Sequence, residues 1–271
     1  MSSRNVILGI FVASSFLFNG CLRSSMSVLV RKDGTAVVTD TLMLTPSTLK
    51  MWEEMAKATK TPLQTLLKEQ WNDSAMYAEA PKMGPGVTVR SVKFVKTSKG
   101  AGYVAIYDAK DIGTLSISKN AFHEHMNASD PSKKSAPSFI RFTRTGQRIT
   151  VNNMPLTPEP KSDSAVAPSE SEIQQQLMMV KKFMKDLEIA IRIVVEPGIA
   201  STDATYVQQN TITVIDIPFN KIIARFEKDP SVFRIMQGIP TPEPWSLEKG
   251  FNKLGTAAKM ETKEVFSFEM K

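Results

Sequence analysis

A two-residue turn, Asp33-Gly34, lies between two stretches of alternating side chains and is the strongest constraint on how this chain folds. The alternation runs over residues 26–30 before the turn and over residues 37–43 after it. A period of two is typical of a strand with one buried face, and Asp-Gly supplies the positive φ angles of the turns that join twisted strands. The segment 25–44 is therefore predicted to form a β-hairpin.

Further strands also come in pairs, at 87–107 and 139–152, and stretches of helical period separate them. Thr45-Pro46 and Thr61-Pro62 begin two such stretches, which predicts two helices with a break near Lys60, because proline inside a helix costs about 3 kcal/mol. Another helix is predicted where apolar residues recur at intervals of three and four: Ile173, Leu177, Val180, Met184 and Leu187. Hairpins grouped apart from helices predict an α+β fold, with a largely antiparallel sheet and amphipathic helices packed on one face.

The N-terminus carries a charge-free apolar run, 6–18, which follows Arg4 and ends shortly before Cys21. Its 13 residues are too few to cross a bilayer as a helix, which takes about 20 residues. A basic start, an apolar stretch of this length and a small residue, Gly20, before the cut are typical of a secretory signal. We therefore predict that residues 1–20 are a signal peptide and that the protein is exported.

Cys21 is the only cysteine in the chain. Its place directly after Gly20 resembles the lipobox of bacterial lipoproteins, although Phe18 and Asn19 stand where that family usually has Leu and a small residue. The resemblance implies that the Cys21 thiol receives a diacylglyceryl group and that acyl chains such as palmitate anchor the protein. Leu22, where inner-membrane lipoproteins tend to have Asp, favours the outer membrane if the organism has one. The alternative is an ordinary signal peptide followed by an unmodified thiol.

Two stretches of the body, 28–41 and 193–217, resemble a loose set of uncharacterised bacterial envelope lipoproteins that includes the LppM-type domains. These proteins open with a strand, an Asp-Gly turn and a second strand just beyond the lipidated cysteine. The resemblance implies a location in the cell envelope, and it transfers no catalytic residue to this chain.

Residues 154–169 contain four prolines and have no hydrophobic period. Such a composition predicts an exposed loop or linker. It divides the mature chain into an N-terminal α+β part at 21–153 and a C-terminal α+β part at 170–271. We expect the two parts to pack together as one unit.

Two groups of side chains are candidates for binding. His123 and His125 could hold a metal ion if they lay on a strand, but a site needs a third ligand and the flanking residues are typical of a loop, so we expect no metal site. Arg141, Arg144 and Arg148 lie close together beside two phenylalanines. Because an exported protein seldom meets nucleic acid, we expect these arginines to contact anionic lipid or cell-wall polymer instead.

The sequence lacks the Gly-x-Ser-x-Gly elbow of many hydrolases and the phosphate-binding loop of nucleotide enzymes. We therefore expect a lipid-anchored envelope protein that acts as a non-enzymatic binding or structural module and needs no cofactor. It would meet the membrane through Cys21, and its other partners would be envelope proteins, anionic lipid or cell-wall polymer, with no nucleic acid. One alternative is a carrier of a lipid or other apolar ligand, and a second is a metal-dependent hydrolase that uses His123 and His125.

Overall fold

The computed structural model describes residues 22–70, 73–98, 100–119, 138–154, 170–236 and 252–271. Its strands are β1 (Leu22–Val30), β2 (Ala36–Leu44), β3 (Val87–Thr97), β4 (Gly100–Ala109), β5 (Ser116–Ser118), β6 (Phe139–Thr145), β7 (Arg148–Asn153), β8 (Glu188–Val195), β9 (Ile199–Thr202), β10 (Val207–Gln208), β11 (Thr211–Pro218), β12 (Lys259–Met260) and β13 (Val265–Met270). They form two sheets. The first has eight strands in the order β10-β11-β8-β1-β2-β4-β3, with β12 paired to β11, and the second has five in the order β5-β6-β7-β13-β9.

The α-helices in the described residues are α1 (Pro46–Thr59), α2 (Leu63–Gln70), α3 (Asp73–Met83), α4 (Glu170–Met184), α5 (Phe219–Lys228) and α6 (Pro230–Met236). The predicted break between the first two is confirmed, since α1 ends at Thr59 and the next residue, Lys60, has a left-handed φ of 54°. The sequence pattern did not predict α3, which has Pro81 within it. None of the described helices combines the length and the apolar character that crossing a membrane requires.

Strand β1 is central to the first sheet, antiparallel to β2 and parallel to β8. All other ladders between the described strands are antiparallel. The predicted α+β class with a largely antiparallel sheet is thereby confirmed. Two features differ from the prediction: the antiparallel strands are divided between two sheets, and the β1–β8 pair is parallel. Parallel neighbours need a long crossover rather than a turn, so no local sequence signal marks them.

The main apolar core lies on one face of the first sheet, where it meets the second sheet and α1–α3. Alternate residues of β1 supply Met26, Val28 and Val30, which lie in register with Ile191, Ile193 and Val195 of β8. The second sheet contributes side chains from β6, β7 and β13: Ile140, Phe142, Ile149, Val151, Phe266 and Phe268. Because each fully buried side chain of this kind contributes about 1.5–3 kcal/mol, this shared face is the main source of stability.

A second, smaller apolar cluster joins α4, α5 and α6. Of the predicted apolar face, Ile173 in α4 and Leu187 beyond its end are buried, while Leu177 and Val180 are partly exposed. Ile217 of β11 contacts both clusters. The helices at the C-terminal side are therefore attached to the first sheet through the end of β11.

In both sheets, strands that precede segment 154–169 in the chain pair with strands that follow it. In the first sheet β1 pairs with β8, and in the second β7 pairs with β13. Of the segment itself only Met154 belongs to the described residues, and its carbonyl oxygen accepts a hydrogen bond from the Ser138 hydroxyl at 3.0 Å. The predicted loop at 155–169 lies outside the described part of the chain.

Candidate functional site

Three residues that the sequence singled out, Cys21, His123 and His125, lie outside the described residues. Lipid attachment at Cys21 and the absence of a metal site at the two histidines accordingly stay predictions. Across residues 22–70, 73–98, 100–119, 138–154, 170–236 and 252–271, no group of three or more His, Cys, Asp or Glu side chains could hold a metal ion.

The three arginines of the predicted anionic contact lie on the β6–β7 hairpin. Each is engaged by a different part of the chain: Arg141 lies over the Phe139 ring (5.5 Å to its centroid), Arg144 donates from Nη1 to the carbonyl oxygen of Asp33 (2.7 Å), and Arg148 donates from Nη2 to Ser267 Oγ (2.8 Å). Arg144 is thus bound to the turn after β1, whereas Arg141 and Arg148 contact residues of the second sheet. Their contact with an anionic surface stays a prediction, to be tested for each arginine separately.

One end of the first sheet lies where β1 and β8 begin and where β2 and β11 end, and we call it the Leu22 end. Leu22 pairs with Leu44 there and is only 2% exposed. Next to it, Arg23 Nε donates to the carbonyl oxygen of Asp186 (3.3 Å), and the Ser47 hydroxyl donates to the Asp186 carboxylate (3.4 Å). The residue that follows Cys21 in the chain is thus already part of the core.

An apolar groove of about 310 Å³ opens at the edge of the first sheet, between α1, α2 and the β3–β4 hairpin. Its volume is at the lower limit of sites that take small molecules, about 300–1,000 Å³. Phe94 is 45% exposed at this groove, whereas Leu49 and Leu67 are buried. The residues that line it are Leu49, Pro62, Leu63, Gln64, Leu67, Phe94, Lys96 and Ala101.

The groove lies close to the Leu22 end. Ala101 pairs with Leu44, and Leu44 pairs with Leu22, so the three residues form one row across β4, β2 and β1. Because neighbouring strands are about 4.8 Å apart, Ala101 is about 10 Å from Leu22. Lys96 Nζ lies 3.5 Å from Glu53 Oε1, so an exposed ion pair borders the apolar wall of the groove.

A buried acidic cluster lies under the same sheet, between β2, β4 and α3. Asp40 is 5% exposed and Glu79 is 6% exposed. The Tyr103 hydroxyl donates to Asp40 Oδ2 at 3.2 Å, and Lys82 Nζ lies 2.8 Å from Glu79 Oε2. The lysine side chain is largely exposed, so it neutralises Glu79 from the surface, while the donor to Asp40 is a neutral phenol.

The titration of Asp40 reflects this environment. The pKa of its carboxyl is raised from 3.8 to about 6, because burial and the charge of Glu79 raise it by more than the Tyr103 hydrogen bond lowers it. Burial and the nearby Asp40 charge also raise the pKa of Tyr103, so the phenol stays protonated and remains a donor. The cluster therefore holds one carboxylate that is costly to ionise near neutral pH.

Sequence reasoning missed this cluster, although a signal was present. Asp40 has the same parity in β2 as Val38 and Leu42, and all three are buried. The other residues of the alternation over 37–43 are on the opposite face of β2, where Thr39, Thr41 and Met43 are half-exposed. An acidic residue at a buried position of an alternating strand is the observation that could have predicted a perturbed carboxyl.

Comparison with known proteins finds no protein family and no curated protein that matches this chain. Among solved structures, the NMR structure of the folded domain of LppM from Mycobacterium tuberculosis matches with a TM-score of 0.30 and 10% identity, covering 71% of this chain and 80% of that one. At this TM-score the match adds no argument to the predicted likeness to LppM-type domains.

Crystal structures of an M1 zinc metallopeptidase from Deinococcus radiodurans also match. One has a TM-score of 0.23 at 11% identity and the other 0.22 at 10%, and in both cases this chain spans 41% of that protein. All these TM-scores are below 0.5, so none of the matches supports an argument about activity. The functional conclusion must come from the residues of this chain.

Proposed function

We propose that this protein is a lipid-anchored bacterial cell-envelope protein whose α+β body acts as a non-enzymatic binding module. The observation that carries the proposal is the position of the only cysteine, between a signal-like segment and the first residue of the first sheet. Cleavage before Cys21 would remove none of the described fold, since β1 begins at Leu22. Two or three acyl chains on Cys21 would hold the body firmly at a membrane, whereas one chain holds only marginally.

Metabolic labelling with an alkyne analogue of palmitate tests the anchor. We expect the wild-type chain to be labelled and to remain with membranes after high-salt washing. The Cys21→Ser variant should lose the label, because it removes the only thiol in the chain. Intact mass spectrometry should show that the wild-type mature chain begins at Cys21 and carries the mass of its acyl groups.

The matched control is Ser25→Ala, four residues further on and half-buried in β1. It changes a nearby small polar side chain and leaves Gly20 and Cys21 intact, so labelling should equal that of the wild type. Labelling and membrane retention that persist in Cys21→Ser would overturn the proposal. A mature chain with an unmodified thiol would favour the ordinary signal peptide instead.

The second candidate function is a carrier of a lipid or other apolar ligand, and the groove at α1, α2 and β3–β4 favours it. The groove combines buried leucines with an exposed Phe94 and a lysine at its rim. That arrangement suits a ligand with an apolar body and an anionic or polar head, because apolar burial supplies affinity and the polar group fixes orientation.

Organic extraction of the purified protein tests the carrier function, since extraction removes non-covalent lipid and leaves acyl chains bound at Cys21. The carrier function predicts about one extractable lipid per chain. Leu63→Trp should fill the groove and lower this amount, while the control Tyr77→Trp, at an exposed position of α3 outside the groove lining, should not. Equal lipid in both variants, or none in the wild type, would exclude the groove as the carrier site.

A further inference from the structure

The distance between the proposed anchor and the folded body is very short. Consecutive Cα atoms are 3.8 Å apart, and the residue after Cys21 is the first residue of β1 and is buried. A flexible tether of several residues would let a body rotate freely above a membrane. Here no such tether separates the anchor from the sheet, so the anchor constrains which end of the body can face the lipid.

Exposed lysines surround the Leu22 end. Lys50 is one turn into α1, Lys185 comes directly after α4, and Lys221 is in the first turn of α5. No ion pair joins any of them to another described residue. Of the acidic side chains near this end, Glu53 pairs with Lys96 and Asp186 accepts a hydrogen bond from the Ser47 hydroxyl. Glu54 and Glu188 have no ion-pair partner among the described residues.

We propose that the Leu22 end docks directly on an anionic bilayer, with Lys50, Lys185 and Lys221 against the lipid headgroups. This proposal rests on the proposed anchor at Cys21 and adds an orientation to it. Lysines near an anionic membrane each contribute about a fivefold gain in surface affinity. The opposite end of the first sheet, which carries the Asp33-Gly34 turn, would face away from the membrane.

The opposite end offers matched controls. Lys32 lies in the turn between β1 and β2, Lys110 directly follows β4, and Lys271 is hydrogen-bonded through its backbone to Gly198 at 3.1 Å. All three lysines are exposed. Because β1 rises about 3.4 Å per residue, its 9 residues separate the two ends by about 27 Å.

Short-range quenching measures the orientation. The full-length lipidated chain with Lys221→Cys or Lys32→Cys is labelled with a thiol-reactive fluorophore and reconstituted into vesicles of about 30% phosphatidylglycerol in phosphatidylcholine. Quenching uses phosphatidylcholine with a nitroxide on its headgroup. We expect strong quenching at position 221 and little at position 32. Adding Lys50→Gln and Lys185→Gln should lower the quenching at 221 by about half, and adding Lys110→Gln and Lys271→Gln should not.

The number of fluorophores bound per chain shows whether a negative result contradicts the docking alone or the anchor at Cys21 as well. One fluorophore per chain means that Cys21 is blocked by lipid, and equal quenching at 221 and 32 then overturns the docking while the anchor stands. Two fluorophores per chain mean that Cys21 is a free thiol, which overturns the anchor and the docking together. Quenching at 221 that does not change in the Lys50→Gln, Lys185→Gln background would remove the lysines from the docking surface.

Discussion

Replacing Asp40 by asparagine tests whether a carboxylate is ionised at a cost inside the main core. The asparagine would keep the size of the side chain and could still accept from the Tyr103 hydroxyl, but it cannot ionise. The pKa of Asp40 in the folded chain is about 6, against 3.8 for the unfolded chain. Since the folded value is the higher one, this group stabilises the fold at acidic pH, and its contribution is lost as the pH rises through about 6.

The size of the effect follows from the difference between the two pKa values. At 1.36 kcal/mol per unit, the complete titration of Asp40 changes the free energy of unfolding by about 3 kcal/mol. Most of this change, about 2 kcal/mol, falls between about pH 4 and about pH 7.5. We expect urea unfolding to show that Asp40→Asn gains stability relative to the wild type by this amount over that interval. A difference that stays constant with pH would refute the assignment of a buried, titrating Asp40.

Two further variants distinguish the titration of Asp40 from the effect of pH on the rest of the chain. Tyr103→Phe removes the donor that lowers the pKa of Asp40, so the wild-type pH dependence should move to higher pH in this variant. Asp203→Asn is a control in which stability should change with pH in the opposite direction, because the hydrogen bond from the Ser267 backbone N–H lowers the pKa of Asp203. The contribution of Asp203 is present above its unfolded pKa and is lost as the pH falls through its folded pKa.

Other predictions concern packing. Gly102→Ala should destabilise the chain by about 1–3 kcal/mol in urea unfolding. The added Cβ would lie 1.9 Å from the carbonyl oxygen of Leu42 on the paired strand β2. An unchanged unfolding midpoint would show that β2 and β4 can move apart to make room for it. Ile173→Ala should cost about 2–5 kcal/mol, and Leu177→Ala roughly half as much, since Ile173 is buried and Leu177 is partly exposed. Equal costs would contradict the packing of α4.

The sequence predicted those parts of the fold that depend on neighbouring residues. The β1–β2 hairpin forms around Asp33-Gly34 as predicted, but the predicted two-residue turn is wrong: residues 31–35 join the strands, and Gly34 has a positive φ (86°) while Asp33 does not. The end of α1 just before Lys60 follows from the position of Pro62. By contrast, the β1–β8 pair joins residues far apart in the chain, and a parallel pair has no turn to announce it. The division into two sheets depends on which apolar faces meet, and periodicity shows that a face exists without naming its partner.

The candidate sites also differ in how far they depend on contacts between residues distant in the chain. Asp40 could have been recognised from its parity with Val38 and Leu42, because that is a local property of β2. The groove could not, since Leu49, Leu63 and Ala101 come from three different elements. Its walls are ordinary apolar positions, and only the packing of α1 and α2 against β3–β4 leaves the space between them open.

The arginines and the proposed anchor also constrain each other. Arg144 donates to the carbonyl oxygen of Asp33, at the opposite end of β1 from Leu22. With about 27 Å between these ends, Arg144 would lie more than three Debye lengths from lipids at the Leu22 end, since that length is about 8 Å at physiological ionic strength. If Cys21 anchors the chain, Arg144 therefore cannot contribute to binding the same bilayer. Its expected anionic partner is then a cell-wall polymer or another envelope protein on the side away from the membrane, and loss of polymer binding in Arg144→Gln with unchanged membrane quenching at position 221 would support that separation.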